Sequence, residues 1–229
     1  MFITTLFFFY PILVFFIYNH QLKHHTFTVN VVWSRIMRIL CFYALEIKDY
    51  SGKTESPFIV CANHTSYLDI FFMYSILPKD KFLFMGKSEI LSYPLLKTFF
   101  KNLNIPVFRG DRLKAAKSFI QARNELAKGW SIIIFPEGGI PEKTPYLMDF
   151  KDGAFKLAKS GKVGVLPLTF KNNYHLFSDP EELLGFAHPG LAEIIIHPFI
   201  FKETVVLLTE QELNKKTFEA INSVLPQIT

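Results

Sequence analysis

From residue 45 to the end of the chain, short apolar runs of strand length alternate with stretches of helical periodicity, and this order restricts the possible folds most. The predicted strands cover residues 58–62, 105–108, 132–135, 163–168 and 194–196. The predicted helices cover residues 68–77, 112–128 and 153–159, and a last helix begins at a capping box of Thr209 and Glu212. This order predicts an α/β fold, a layered mixed sheet flanked by helices, with ligands bound beyond the strand ends.

The size and composition of the chain restrict its class. Its 229 residues fit one α/β domain, and 50% hydrophobic with 20% charged residues exclude a disordered chain. The net charge of +5 suits anionic lipid headgroups or phosphorylated substrates. Nucleic acid is not an expected partner, because the sequence has no Lys/Arg run or nucleic-acid-binding motif. Cys41 and Cys61 lack CxxC spacing, so we expect reduced core cysteines in a reducing compartment.

The first 18 residues carry no charged side chain and are rich in phenylalanine. A membrane-spanning helix needs about 20 apolar residues, so this segment is a short or tilted candidate with a kink expected at Pro11. Residues 29–43 form a second predicted helix, whose apolar face consists of Val29, Val32, Trp33, Ile36 and Leu40. That helix fits a buried hairpin, an interfacial anchor or a core helix of the globular domain. We expect residues 1–44 to be membrane-anchoring helices and residues 45–229 to be the α/β domain.

Basic or basic-capable residues follow the first apolar segment at Lys23, His24 and His25. The positive-inside tendency places such residues, and the domain that follows them, on the cytoplasmic side. The expected localisation is therefore membrane-associated, at the cytoplasmic face.

A histidine and an aspartate follow the first predicted strand, in the segment NHTSYLD at residues 63–69. Acyl transfer to an alcohol needs a base near the hydroxyl, because a free alcohol is a poor nucleophile at neutral pH. A neutral imidazole suits this task and a carboxylate on its other nitrogen fixes the tautomer, so His64 and Asp69 are candidate catalytic residues. The alternative is structural: Ser66 and Asp69 form an S-x-x-D helix-capping signal, and His64 is a core histidine.

Charged residues also follow two other predicted strands. Glu137 and Gly138 follow the strand at 132–135, and the glycine allows a ligand to approach the backbone closely. Arg109 and Arg112 follow the strand at 105–108, and guanidinium groups bind phosphate through paired hydrogen bonds. All four are candidate substrate ligands. The alternative for the two arginines is a solvated turn with a salt bridge at the start of a helix.

Six segments occur together in the order and spacing of a known family: NHTSYLD, GKSEI, IPVFRGDR, FPEGG, FKDGAF and VGVLPL. The chain from Arg35 to Ile200 resembles the glycerolipid acyltransferase family, in particular bacterial 1-acylglycerol-3-phosphate acyltransferases. The resemblance implies an α/β sheet with an N-terminal helical pair that docks on the membrane, here the bacterial inner membrane. It implies acyl transfer from acyl-CoA or acyl carrier protein to lysophosphatidate, which gives phosphatidate, with no cofactor and no metal ion.

The resemblance also implies roles for individual residues. It implies His64 as the catalytic base and Asp69 as its partner. The implied substrate-binding residues are Lys87, Arg109, Glu137, Gly138 and Pro167. The first two lie near the acceptor phosphate, the next two position the acceptor, and the proline belongs to a segment that shapes the acyl or acceptor site.

The third family block departs from the usual pattern. The family has F-P-E-G-T-R, whereas Gly139 and Ile140 here replace the threonine and the arginine, so an expected cationic phosphate ligand is absent. The candidates for a substitute cation are Lys143, Lys151 and the pair Arg109 and Arg112. Without a substitute, the acceptor is a phosphate-free lysolipid such as an aminolipid.

Two functions from other classes fit the same residues. In a thioester or lipid hydrolase, His64 activates water instead of a lipid hydroxyl. In a non-catalytic membrane-binding module, the motifs are only caps and turns. Turnover of thioester without a lysolipid distinguishes the first of these from an acyltransferase. Full transfer activity without His64 favours the second or shows that His64 is not the base.

Overall fold

The computed structural model describes residues 2–19, 21–22, 25–177 and 186–226, so Lys23 and His24 lie outside the described residues. The strands of this part are β1 Tyr43–Asp49, β2 Phe58–Ala62, β3 Phe82–Lys87, β4 Ile105–Val107, β5 Ser131–Ile134, β6 Gly164–Phe170 and β7 Gly190–Ile196. The α-helices are α1 Phe2–Tyr18, α2 Thr26–Leu40, α3 Leu68–Ile76, α4 Pro94–Leu103, α5 Arg112–Ala127, α6 Gly153–Gly161, α7 Asn173–Leu176, α8 Lys202–Leu207 and α9 Glu210–Asn222. A short 3-10 helix, Ser88–Ser92, follows β3.

The strands form one seven-stranded sheet in the order β1-β7-β6-β2-β5-β3-β4. Every neighbouring pair is parallel except β6 and β7, which are antiparallel. The α/β fold with a mixed sheet is therefore confirmed. Because β2, β3, β4, β5 and β6 run in the same direction, the loops after these five strands meet at one edge of the sheet.

The central strand β2 shows how the sequence fills both faces of the sheet. Side chains alternate along a strand, so Phe58 and Val60 join the hydrophobic cluster on one face while Ile59 and Cys61 join the cluster on the other. The first cluster packs under α2 and α3, and the second packs under α5, α6 and α9. All five β2 residues are buried, and burying a large apolar side chain stabilises the fold by about 1.5–3 kcal/mol.

All the strands and helices predicted beyond residue 45 are present, with small differences in their bounds. The capping box at Thr209 is confirmed, with Glu212 bonded to the Thr209 backbone. Two strands, β1 and β3, were not predicted, nor were α4, α7 and α8. The edge strand β1 has only one neighbour and is mostly exposed; its sequence, YALEIKD, alternates Tyr43, Leu45 and Ile47 with small or charged residues, a strand pattern that the prediction missed.

The two N-terminal helices pack on each other and on the domain. Leu6 and Leu13 of α1 are buried against Trp33 of α2, whose indole N–H donates to Thr5 at 3.0 Å. Phe27 and Val31 of α2 belong to the main cluster beside the sheet, so α2 is also a core helix. The division into residues 1–44 and 45–229 stays a prediction.

The opposite side of these helices leaves large apolar side chains in solvent. This N-terminal apolar surface consists of Phe7, Phe8, Ile12, Phe15 and Tyr18 of α1 and Val32, Ile36, Ile39 and Leu40 of α2. Of the apolar face predicted for α2, only Trp33 is buried, because Phe27 and Val31 make the contact with the core. Within the described residues, no helix has both the length and the apolar character needed to cross a bilayer.

Candidate active site

The predicted site residues lie at the edge of the sheet where the parallel strands end. His64 follows β2, Glu137 follows β5, Lys87 ends β3 and Arg109 follows β4. These four strands are neighbours in the sheet. The fold thus brings together side chains that are up to 73 residues apart in the sequence, such as the bonded pair His64 and Glu137.

His64 and Asp69 form a hydrogen-bonded pair, with 2.9 Å between Nδ1 of the imidazole and Oδ2 of the carboxylate. The Asp69 side chain is fully buried and that of His64 is 12% exposed. A carboxylate accepts hydrogen bonds, so Nδ1 carries the proton and Nε2 is left as the basic nitrogen. Phe135 stacks on the imidazole, with the ring centroids 4.1 Å apart and the planes 15° apart. The ring orientation is therefore fixed on two sides.

The same carboxylate also organises the loop before α3. Asp69 Oδ2 accepts from the backbone N–H of Thr65 at 2.7 Å and of Ser66 at 3.0 Å. The Ser66 hydroxyl in turn accepts from the backbone N–H of Leu68, the first residue of α3. The capping interpretation and the catalytic interpretation are thus compatible, because the bonds that cap the helix fold the loop back and bring His64 to Asp69.

Glu137 joins the loop after β5 to the histidine loop. Its side chain is buried and accepts from the backbone N–H of His64 through Oε1 and of Met148 through Oε2, both at 2.9 Å. Burial raises the pKa of Glu137 to about 7; the two backbone hydrogen bonds oppose this shift and the charge of Asp69 adds to it. The buried position indicates that Glu137 positions backbone segments of the site.

Three cations converge on the glycines after Glu137. Arg109 Nη2 donates to the Gly138 carbonyl at 2.7 Å. A Cβ on Gly138 would lie 2.7 Å from Arg109 Nη2 and from Lys151 Nζ, and a Cβ on Gly139 would lie 2.7 Å from Lys87 Nζ. Gly138 also has a φ of +85°, which favours glycine. We call Lys87, Arg109 and Lys151 the cation cluster.

The cation cluster lacks a counter-charge within the part of the chain that the structure describes, where none of its members forms a salt bridge. Partial desolvation lowers the pKa of Lys151, and the charges of Arg109 and Lys87 lower it further. All three side chains are exposed, so a ligand reaches them from solvent. Uncompensated cations held this close, with room provided by glycines, are suited to bind an anion such as phosphate.

The other predicted residues lie apart from these groups. Arg112 is exposed at the start of α5 and forms no hydrogen bond or salt bridge with the described residues; the salt bridge at that helix start joins Asp111 and Lys114. Pro167 is buried in β6 opposite Cys61. Of the substitute cations considered for the missing arginine, Lys151 and Arg109 reach Gly138.

Two contacts of the site were not predicted from the sequence. Phe135 is the stacking partner of His64. Its position directly before Pro136 and Glu137, at the end of a predicted strand, was the sequence signal that could have placed it in the site. Asn173 donates from Nδ2 to Asp69 Oδ1 at 2.6 Å. Its signal was weak, because an asparagine a few residues after a strand is usually a turn residue.

An imidazole oriented by aspartate, beside an open cation cluster at the strand ends of an α/β sheet, defines a site suited to base catalysis on an anionic substrate. A family model described as acyltransferase matches residues 44–171, more than half of the 229 residues. The chain belongs to the acyltransferase family.

Individual proteins show the same relationship. The chloroplastic 1-acyl-sn-glycerol-3-phosphate acyltransferase BAT2 of Brassica napus is 28% identical over 200 residues, which cover 86% of this chain and 56% of that protein. The 1-acyl-sn-glycerol-3-phosphate acyltransferase of Saccharomyces cerevisiae is 29% identical over 147 residues, 62% of this chain and 48% of that protein. The chain thus spans about half the length of these curated relatives. The crystal structure of the 1-acyl-sn-glycerophosphate acyltransferase PlsC from Thermotoga maritima has the same fold, with a TM-score of 0.76 and 23% identity over 97% of this chain and 90% of that chain.

Proposed function

We propose that the protein transfers a fatty acyl chain from an acyl thioester to the free hydroxyl of 1-acylglycerol-3-phosphate and so forms phosphatidate, a step of phospholipid biosynthesis. The observation that carries this proposal is the combination of the His64–Asp69 pair with the cation cluster at one sheet edge. The pair supplies a base for the hydroxyl, and the cluster supplies a site for the phosphate. The names of the relatives from Brassica napus and Saccharomyces cerevisiae agree with this substrate.

In the proposed reaction, Nε2 of His64 takes the proton of the lipid hydroxyl while the hydroxyl oxygen attacks the thioester carbonyl. A C–O bond forms, the C–S bond breaks, and the leaving thiolate takes the proton back from the imidazolium. The buried carboxylate of Asp69 stabilises the imidazolium in between. The acyl chain passes directly to the acceptor without a covalent enzyme intermediate. The donor is acyl-CoA or acyl carrier protein, and the reaction uses no cofactor.

The cation cluster also supports a phosphate acceptor despite the missing family arginine. The backbone N–H of Lys151 donates to the Pro136 carbonyl at 2.9 Å, which holds this lysine beside the glycines after Glu137. Lys151 therefore supplies a cation close to the loop in which Ile140 stands in place of the arginine. With Lys87 and Arg109 it gives the three positive charges of the cluster. A phosphate-free lysolipid would leave these charges without a partner.

Lipid analysis tests the proposed function. Expression in cells that lack lysophosphatidate acyltransferase is expected to restore phosphatidate, and the purified protein is expected to need both acyl thioester and lysophosphatidate for turnover. A preference for a phosphate-free lysolipid would contradict the acceptor assignment. Equal release of thiol with and without lysolipid would instead identify a hydrolase. The His64→Ala protein is the inactive control.

We further propose that the N-terminal apolar surface inserts into the cytoplasmic face of the membrane, which in a bacterium is the inner membrane. Phe7, Phe8 and Phe15 are 76%, 65% and 59% exposed, and apolar groups of this size leave water when a lipid phase is available. Arg35, on the same pair of helices, is exposed and able to meet anionic headgroups. Such docking would bring the active site close to a lipid acceptor.

Liposome flotation checks the membrane proposal. Deletion of residues 1–18 is expected to weaken binding, but it also uncovers Trp33, so the sharper variant is Phe7→Ser with Phe8→Ser. Each lost phenylalanine is expected to weaken binding roughly 10- to 150-fold, because a buried phenylalanine contributes about 1.5–3 kcal/mol. Leu207→Ser is the matched control, since Leu207 is 84% exposed on α8. Unchanged flotation of the double variant, or an equal loss in the control, would contradict this docking surface.

A further inference from the structure

Asn173 is the first residue of α7 and contacts the catalytic pair from the far side of Asp69. Its Nδ2 donates to Asp69 Oδ1 at 2.6 Å, whereas Oδ2 faces His64. Both Asn173 and Asp69 are fully buried. Asn173 lies beyond the segment that the family model matches, which ends at residue 171.

The orientation of the Asn173 amide follows from the chemistry of Asp69. An ionised carboxylate only accepts hydrogen bonds, so the amide must turn its NH₂ group towards it. This leaves Asn173 Oδ1 buried and without a hydrogen-bond partner among the described residues. A buried unpartnered oxygen is unfavourable and unusual in a native structure. Its presence beside the proton-transfer pair indicates that the bond to Asp69 serves function as well as folding.

We propose that Asn173 is a positioning residue that holds the Asp69 carboxylate in the rotation at which Oδ2 meets His64. This inference rests on the proposed function, since it assumes that His64 is the base. Without Asn173, Asp69 Oδ1 would keep only the Thr65 hydroxyl, at 3.5 Å, as a side-chain partner within the described part of the chain. The carboxylate would then be held mainly by the Thr65 and Ser66 N–H groups at Oδ2, and it would direct the imidazole less firmly. Asn173, Asp69 and His64 are therefore linked by consecutive hydrogen bonds, and the last of them, His64, faces the lipid hydroxyl in the proposed reaction.

The test separates catalysis from folding. Asn173→Ala is expected to lower kcat by roughly 10- to 100-fold, the range expected when one hydrogen bond to a charged group is lost, with little change in KM for either substrate. Asn172→Ala is the matched control, because the neighbouring side chain bonds the Leu191 carbonyl and the Glu193 N–H, both at 2.8 Å. The control is expected to keep the wild-type kcat per folded molecule. A wild-type kcat in Asn173→Ala, or an equal loss in both variants, would overturn the assignment.

A double variant with the two side chains exchanged gives a second readout. In Asp69→Asn with Asn173→Asp, the new amide at 69 still accepts from the loop N–H groups with its oxygen and donates to the new carboxylate at 173. The thermal stability lost in Asn173→Ala is expected to return, while kcat stays at least tenfold below wild type, because the charge no longer touches His64. Recovery of both stability and kcat would show that the carboxylate need not touch His64, and this would overturn the positioning role of Asn173. If wild-type protein transfers no acyl chain in the same assay, the proposed function fails instead.

Discussion

His64→Ala is expected to lower kcat/KM for acyl transfer by about 100- to 10,000-fold, the usual cost of losing a general base. The alanine protein cannot take the proton from the lipid hydroxyl, and no other described side chain bonds Asp69 with a titratable nitrogen. Folding should be little affected, since the backbone N–H of residue 64 still donates to Glu137. The measurement is initial rate against lysophosphatidate concentration, at saturating acyl-CoA.

Asp69→Asn is also expected to lower kcat/KM for acyl transfer, but by less than His64→Ala. The asparagine oxygen still accepts from Thr65 and Ser66, so the loop keeps its shape, but the negative charge that stabilises the imidazolium is gone. Circular dichroism and liposome binding of both variants should match wild type. Near-wild-type kcat/KM in either variant would show that its assigned role is wrong.

Loss of the cation cluster is expected to weaken binding of the acceptor phosphate. Arg109→Ala alone is expected to lower kcat/KM for lysophosphatidate by roughly 10- to 150-fold, mainly through KM, because one charge-assisted hydrogen bond is lost. Lys151→Ala should have a similar effect, and the double variant a larger one. The two losses are not expected to multiply, since both side chains lie against Gly138 and share one anion.

A phosphate-free lysolipid separates this effect from a general defect. The cluster variants should be impaired with lysophosphatidate and nearly unchanged with an acceptor that has no phosphate. Arg123→Ala is the matched control, because this exposed arginine of α5 forms no hydrogen bond or salt bridge within the described residues. An equal loss with both acceptors would contradict the phosphate assignment, and the enzyme would then use the same base on another lysolipid.

The sequence predicted the fold well where burial gives a clear pattern. β2 and β6 are buried along their whole length, so their apolar runs stand out. β1 is a mostly exposed edge strand, and the alternation of Tyr43, Leu45 and Ile47 with other residues stands out less than a continuous buried apolar run. For helix α2 the sequence predicted an apolar face but not its partner: most of that face is exposed, while Phe27 and Val31 pack against the core. Periodicity identifies a helix, but its neighbours decide which apolar side is buried.

The sequence predicted those residues of the candidate site that belong to recognisable motifs directly after strands. His64, Asp69, Glu137, Lys87 and Arg109 were identified in advance and lie at one sheet edge. Arg112 was expected to lie beside Arg109 in the site. It is instead the first residue of α5, and the start of this helix separates its side chain from the cation cluster. The contact between Asn173 and Asp69 spans 104 residues and depends on where the turn after β6 places the start of α7. No local pattern encodes such a contact.

The strand order also sets the distance between His64 and the cation cluster that the proposed acceptor, lysophosphatidate, has to fit. Lys87 ends β3 and His64 follows β2, with β5 between them, so two inter-strand spacings, or roughly 10 Å, separate their backbones. In lysophosphatidate, the hydroxyl and the phosphate are carried by neighbouring carbons and span a much shorter distance. The long aliphatic stems of lysine and arginine must cover the difference. For the proposed acceptor, side-chain length would therefore contribute to selectivity beside charge, because an anion set farther from the hydroxyl would contact the lysine and arginine stems instead of their charged ends.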